Sequence, residues 1–86
     1  MRRGRQLFRN DRDGPIYISI EPVPECYELE PGETLTLIYA VPKTGNAIEV
    51  NFVNERELVI WPTDLDPQVL INDESAEGRS WQFRHA

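Results

Sequence analysis

The segment Tyr27-Glu-Leu-Glu-Pro-Gly-Glu-Thr-Leu-Thr-Leu37 decides the fold, because it contains two strand patterns separated by a strong turn signal. On both sides of Pro31-Gly32, apolar residues alternate with polar ones, which is the two-residue period of a half-buried strand. Proline presets φ for the first central turn position, and glycine accepts the positive φ that a type II turn requires. The segment therefore predicts two β-strands joined by a tight turn.

The two-residue period extends in both directions from this segment. Ile16, Ile18 and Ile20 alternate with polar residues upstream, and residues 34–41 are rich enough in β-branched and aromatic types to predict a central strand. No stretch has a convincing helical period. Further short strands are predicted near residues 48–53, 58–61 and 69–71. Six or seven short strands predict an all-β domain, either a small antiparallel β-sandwich or a partly open barrel.

Turn residues and flanking patterns also predict how the later strands connect. Residues 42–46, Pro-Lys-Thr-Gly-Asn, contain glycine and separate two strong strand patterns, so they predict a hairpin between residues 34–41 and 48–53. Residues 72–78 are acidic and predict a flexible loop. Trp81 and Phe83 follow with a two-residue period and predict an edge strand at the end of the chain.

The segment quoted first resembles a turn found in immunoglobulin-like and cupredoxin-like bacterial sandwiches. In those folds an apolar strand also runs into Pro-Gly-Glu and continues as an alternating strand. The resemblance covers about a tenth of the chain, implies a sandwich topology of that kind and carries no site residues. A cupredoxin copper centre needs two histidines with a cysteine, and this chain has one of each, so the likeness concerns the fold alone.

Charge divides the chain into two parts. Residues 1–13 contain five arginines and two aspartates, a net charge of +3, whereas the remaining residues contain four cations and thirteen acids, a net charge of −9. This asymmetry predicts a basic, flexible N-terminal arm at residues 1–13 and a single β domain at residues 14–86. With one cysteine and no apolar run of about 18 residues, we expect a cytoplasmic protein without a membrane partner.

The residues that usually carry catalysis are not grouped in this sequence. The only histidine is His85, the only cysteine is Cys26, and no phosphate-binding glycine loop is present. Metal sites need clustered ligands, so we expect no metal and no cofactor. The abundant acidic residues are interpreted as parts of solvated loops. A small hydrolase would require several of their carboxylates to converge in one pocket. The sequence therefore predicts a protein that is not an enzyme.

Two binding functions remain from different classes. Tyr17 lies opposite the isoleucine row, and Trp61 and Trp81 lie near strand ends; these aromatics either cap the core or form a binding surface beside an open strand edge. The leading hypothesis is a non-catalytic interaction module that binds an unknown protein partner or forms a homodimer. The alternative is a nucleic-acid-binding accessory protein that uses the arm. Its candidate residues are Arg2, Arg3, Arg5, Arg9 and Arg12.

Overall fold

A computed structural model describes residues 2–22 and 25–79, and these form two β-sheets without a helix. The strands are β1 (Arg3–Arg9), β2 (Ile16–Ile20), β3 (Glu25–Leu29), β4 (Thr34–Ala40), β5 (Ile48–Phe52), β6 (Glu57–Pro62), β7 (Gln68–Ile71) and β8 (Glu74–Ser75). Sheet A has the strand order β1-β4-β7-β8 and is antiparallel, whereas sheet B has the order β3-β2-β6-β5 and contains one parallel pair, β2 with β6. The predicted all-β fold is confirmed, with eight strands among the described residues.

One apolar cluster joins the two sheets. Because side chains alternate across a strand, each sheet turns every second residue towards the other sheet. Sheet B contributes the isoleucine row of β2, and sheet A contributes Leu35 and Leu37 of β4. The remaining buried apolar residues are Tyr27, Leu29, Ile60, Ile71 and Ala76. The residues with the clearest two-residue period are therefore the ones that form the core of the sandwich.

The turn at Pro31-Gly32 forms as predicted. The amide of Glu33 donates to the carbonyl of Glu30 over 3.0 Å, and Gly32 has φ +87°, the positive value that a type II turn needs at its second central position. The turn carries the chain from β3 in sheet B to β4 in sheet A. β4 lies between β1 and β7, so its predicted central position is confirmed.

The structure corrects the expectation of a flexible arm for Arg3–Arg9. These residues form β1 and pair with the whole length of β4, from Arg3 opposite Ala40 to Arg9 opposite Thr34. The inward positions of β1 are Gly4, Gln6 and Phe8, of which only Phe8 packs on the core. Sequence periodicity missed the strand because a single apolar inward residue produces no alternating pattern.

The predicted hairpin across residues 42–46 is wrong. β4 and β5 belong to different sheets, and β5 pairs instead with β6, from Ile48 opposite Pro62 to Phe52 opposite Leu58. Both sides of β4 are already occupied by β1 and β7. Residues 42–46 therefore cross from one sheet to the other rather than reversing the chain within a sheet.

The predicted acidic loop at residues 72–78 contains the short strand β8. Asn72 and Asp73 have φ +53° and +65°, which is the backbone of a type I′ turn, and they join β7 to β8 as a tight hairpin. Ala76, which follows β8, is buried in the core. Trp81 and Phe83, which were expected to form an edge strand, lie outside the described residues.

Candidate interaction edges

The two described aromatic candidates share the outward face of sheet B but do not form one surface. Tyr17 on β2 is half-buried and lies opposite Glu28 and Glu57. Trp61 on β6 lies opposite Glu49 of β5 and is 43% exposed. Along β6, Trp61 is four residues beyond the position that faces Tyr17, a separation of about 13 Å. Trp81, the third candidate, lies outside the described residues.

Tyr17 and Trp61 each interact with a polar side chain on the same face of sheet B. Burial and the carboxylate of Glu28 raise the pKa of the Tyr17 hydroxyl above its ordinary value. The indole Nε1 of Trp61 donates to Oδ1 of Asn51 over 2.8 Å. Because Asn51 belongs to β5, this hydrogen bond ties Trp61 to the edge strand of sheet B. Trp61 is therefore part of the β5 edge, whereas Tyr17 lies in the interior of the sheet.

β5 is an edge strand with an apolar character. No described strand pairs with its outer side. The amide of Val53 donates to the carbonyl of Glu57, and the amide of Thr63 donates to the carbonyl of Ala47, so the odd-numbered residues of β5 exchange hydrogen bonds with β6. Antiparallel strands alternate between bonded and non-bonded pairs. The backbone groups of the remaining positions, Ile48, Val50 and Phe52, therefore point to the free side.

Phe52 is the most exposed large apolar residue of this edge. It shares a face with Ile48 and Val50, which pack against the core, yet 79% of Phe52 is exposed, and its neighbour Val53 is 58% exposed. The two-residue period of residues 48–53 puts Phe52 in line with Ile48 and Val50, and it does not report this exposure. The signal for a core residue and for an exposed edge residue is the same alternation.

β1 is an edge strand of sheet A, and it is basic. No described strand pairs with its outer side. The amide of Val41 donates to the carbonyl of Arg2, and the amide of Asn10 donates to the carbonyl of Glu33, so the even-numbered residues bond to β4. The odd-numbered residues have their backbone groups on the free side and their side chains on the outward face. We call these residues the arginine row: Arg3, Arg5, Leu7 and Arg9.

The arginines of the nucleic-acid hypothesis are thus distributed in a defined way. Three of them belong to the arginine row, and all are exposed. Arg9 also donates from Nε to Oδ1 of Asp11 over 2.7 Å, whereas Arg2 precedes β1 and Arg12 follows it. The acidic residues Glu28, Glu49 and Glu57 lie on the outward face of sheet B. The arginines of β1 and these three glutamates therefore lie on different sheets.

A buried asparagine fixes the end of β1. Asn10 is 1% exposed, and its Nδ2 donates to the carbonyls of Gly14 and Leu29, each over 2.9 Å. Its Oδ1 accepts from the amide of Arg12 over 2.9 Å, and its carbonyl accepts from the amide of Gly32 over 2.8 Å. Asn10 thus joins β1, the following loop and the turn between β3 and β4.

A second contact holds the same turn from outside. The guanidinium of Arg79 donates to both carboxylate oxygens of Glu33, each over 3.1 Å, and to the carbonyl of Glu28 over 3.1 Å. The hydrogen bonds from Arg79, together with one from the amide of Glu30, hold the pKa of Glu33 below its ordinary value. The charged carboxylate of Glu33 therefore joins Arg79 to the turn between β3 and β4, beside the end of β1.

A groove of about 680 Å³ lies near the start of β1, and the only carboxylate among its described lining residues is that of Asp64. Asp64 accepts from the amides of Ala40 and Asp66 over 2.7 and 2.9 Å, and these bonds hold its pKa low. Among residues 2–22 and 25–79, no three histidine, cysteine or acidic side chains are grouped to hold a metal ion. No helix in the described chain is long and apolar enough to span a membrane.

Comparison of the chain with protein-family models, with curated proteins and with solved structures finds no match. The case for a function therefore depends on the geometry of the two edges.

Proposed function

We propose that the chain is a non-catalytic protein-interaction module that pairs with a second copy of itself through β5. The observation that carries the proposal is the free side of β5, where the backbone groups of Ile48, Val50 and Phe52 meet no described strand and Phe52 is 79% exposed. An unpaired strand edge with exposed apolar side chains is a template for another strand.

The register of this pairing follows from the alternation of the backbone. If two copies of β5 run antiparallel about a two-fold axis at Val50, Ile48 of each copy lies opposite Phe52 of the other. The three resulting residue pairs exchange about six backbone hydrogen bonds. The side chains of these residues share one face, so the contact also extends an apolar row across the two copies and removes part of Phe52 from water.

The charges on the other face are compatible with this register. Glu49 of one copy lies opposite Asn51 of the other, so no two like charges meet. Trp61 stands beside this pair, because its indole holds Asn51. The same operation on β1 brings arginine against arginine, for example Arg5 against Arg9 when the axis passes through Leu7, and directly opposed like charges are destabilising. β5 is therefore the edge that is suited to a second copy.

A matched pair of substitutions tests both the edge and its register. Asn51→Glu places a second carboxylate opposite Glu49 of the other copy, whereas Asn51→Lys places an ammonium there, and each contact occurs twice in the dimer. At about 0.2–1 kcal/mol per pair, we expect the dimer dissociation constant to rise between about two- and thirtyfold for glutamate and to fall for lysine. Sedimentation velocity over a range of protein concentrations measures both.

The control is whether each substitution keeps the hydrogen bond that the indole of Trp61 donates to residue 51. Glutamate can still accept from the indole and lysine cannot, so an effect that came only from this bond would weaken the Asn51→Lys dimer more than the Asn51→Glu dimer. That order, or a wild-type protein that stays monomeric at several hundred micromolar, contradicts the proposal. Circular dichroism and thermal unfolding of each variant establish that the fold is retained.

A further inference from the structure

The free side of β1 fits a different occupant from that of β5. We infer that this edge binds an acidic, extended peptide segment of another protein, which adds to sheet A as a fifth strand. The inference does not rest on the pairing through β5, because it is argued from the residues of another strand in the other sheet. It rests on the arginine row, in which the free backbone groups and the cationic side chains belong to the same residues.

The geometry of the row defines the chemistry of the peptide. Neighbouring members of the row are two residues apart, about 6.8 Å along the strand, and an added strand presents side chains to the same face at the same interval. Carboxylates at alternate positions of the peptide would lie opposite Arg3, Arg5 and Arg9 and accept charge-assisted hydrogen bonds. Leu7, which is 55% exposed, calls for an apolar residue at the remaining position.

A peptide fits this edge better than a nucleic acid does. The row offers alternating amides and carbonyls, which another strand satisfies in full and a phosphate backbone does not. Binding of single-stranded nucleic acid relies on exposed aromatics for base stacking, and the aromatic residue of β1, Phe8, is half-buried on the inward face. The carboxylates on the outward face of sheet B also repel a long polyanion more than a short peptide that lies along the edge.

The probe is a fluorescein-labelled peptide with the sequence Glu-Thr-Val-Thr-Glu-Thr-Glu. In antiparallel register its glutamates face the three arginines, its valine faces Leu7, and its threonines occupy the inward positions. Fluorescence anisotropy measures its affinity for the full chain, with a peptide of lysines in place of glutamates as the charge control. We expect binding of the acidic peptide alone, and an affinity that falls as the salt concentration rises.

Three variants locate the binding. Arg5→Glu reverses the charge at the centre of the row, and Arg12→Glu makes the same change at an exposed loop position outside it. Leu7→Pro removes an amide that points to the free side, and it leaves the hydrogen bonds to β4 in place because proline is tolerated at such edge positions. We expect about a tenfold loss of affinity for Arg5→Glu, no detectable binding for Leu7→Pro, and less than a twofold change for Arg12→Glu.

Equal losses for Arg5→Glu and Arg12→Glu would overturn the inference, since they would mean that net charge alone attracts the peptide. Full binding by a folded Leu7→Pro protein would overturn strand addition. A uridine octamer that binds wild type more tightly than the acidic peptide would assign the edge to nucleic acid instead. Because Arg5→Glu keeps every backbone group, it remains decisive if the proline variant fails to fold.

Discussion

β1 and β5 are two of the four edge strands in the described part of the chain, and they differ in which residues carry the unpaired backbone groups. Each is an outer strand whose far side meets no described strand, and a bare strand edge invites uncontrolled pairing. On β1 three of the four residues in the arginine row are arginines, which repel a second copy of the same strand. On β5 the free positions are apolar, and the single acidic residue, Glu49, is offset from the two-fold axis by one residue. β1 therefore resists self-pairing, whereas β5 permits it in one register.

This difference indicates that the partner strand that suits an edge depends on the register of the edge strand as much as on its composition. The arginine row has its charges and its free backbone groups on the same residues, so a partner strand meets both together. On β5 the charged position, Glu49, bonds to β6, and the apolar positions carry the free backbone groups. A shift of either strand by one residue would exchange these roles.

The anchoring of the two edges also differs, and removing the anchor of β1 should have the largest effect. Asn10→Ala removes the donor to the buried carbonyl of Leu29 and to the partly buried carbonyl of Gly14, which we expect to cost about 2–4 kcal/mol of unfolding free energy. The matched change on the β5 side is Asn54→Ala. Asn54 is exposed; its Nδ2 donates to Glu57 and its Oδ1 accepts from the amide of Arg56, both over 2.8 Å. Its loss should cost about 1 kcal/mol or less.

Urea unfolding of the two variants measures the contrast. Similar losses in both proteins would mean that the buried hydrogen bonds of Asn10 contribute no more than the exposed ones of Asn54. The m-value serves as the control, because an unchanged value indicates that the native and unfolded states expose the same surface in each protein.

Acid should weaken the β1 side through Glu33. The pKa of Glu33 is lower in the folded chain than its ordinary value, because Arg79 and the amide of Glu30 donate to its carboxylate. A lowered folded-state pKa stabilises the protein above the ordinary pKa of glutamate, near 4.5, and this stabilisation is lost as the pH falls through the folded-state value. We expect about 1 kcal/mol or less from this partly exposed pair.

The comparison of wild type with Glu33→Gln isolates this contribution. Asp64 also has a lowered pKa and weakens the fold in acid, but it is present in both proteins and cancels in the difference. The difference in unfolding free energy should be largest near pH 7 and should shrink below about pH 4.5. A constant difference between pH 7 and pH 3 would show that the charge of Glu33 does not contribute.

Much of the fold could be predicted because a two-residue period reports which face of a strand is buried. The isoleucines of β2 and the leucines of β4 were identified in this way. The period does not report which strands pair, so the turn at residues 42–46 predicted a hairpin where the chain crosses between sheets. The pairing is decided by long-range packing, namely that β1 and β7 occupy both sides of β4.

The candidate edges were less predictable than the core. Trp61 was identified from its place near a strand end, but Phe52 was not, because its exposure depends on how far the opposite sheet reaches. The arginine row was read as a flexible arm, since Gly4 and Gln6 interrupt the apolar pattern. The glycine has a local reason that sequence does not reveal: an added Cβ would lie 2.6 Å from the ring of Tyr39, which covers this part of β1.

The smallest effect should come from β8, the other edge strand of sheet A, and should leave the β1 and β5 edges unchanged. Asp73 has φ +65° in the type I′ turn before β8, a conformation that glycine adopts without strain and that Asn-Gly favours most. Asp73→Gly should therefore raise the unfolding free energy by about 0.5 kcal/mol, since Asn72 keeps its hydrogen bonds with Thr34. Thermal unfolding measures the gain, and sedimentation and peptide binding should match wild type. A change in either association would mean that the edges of sheet A and sheet B are coupled through the core, and that β1 and β5 do not act as independent sites.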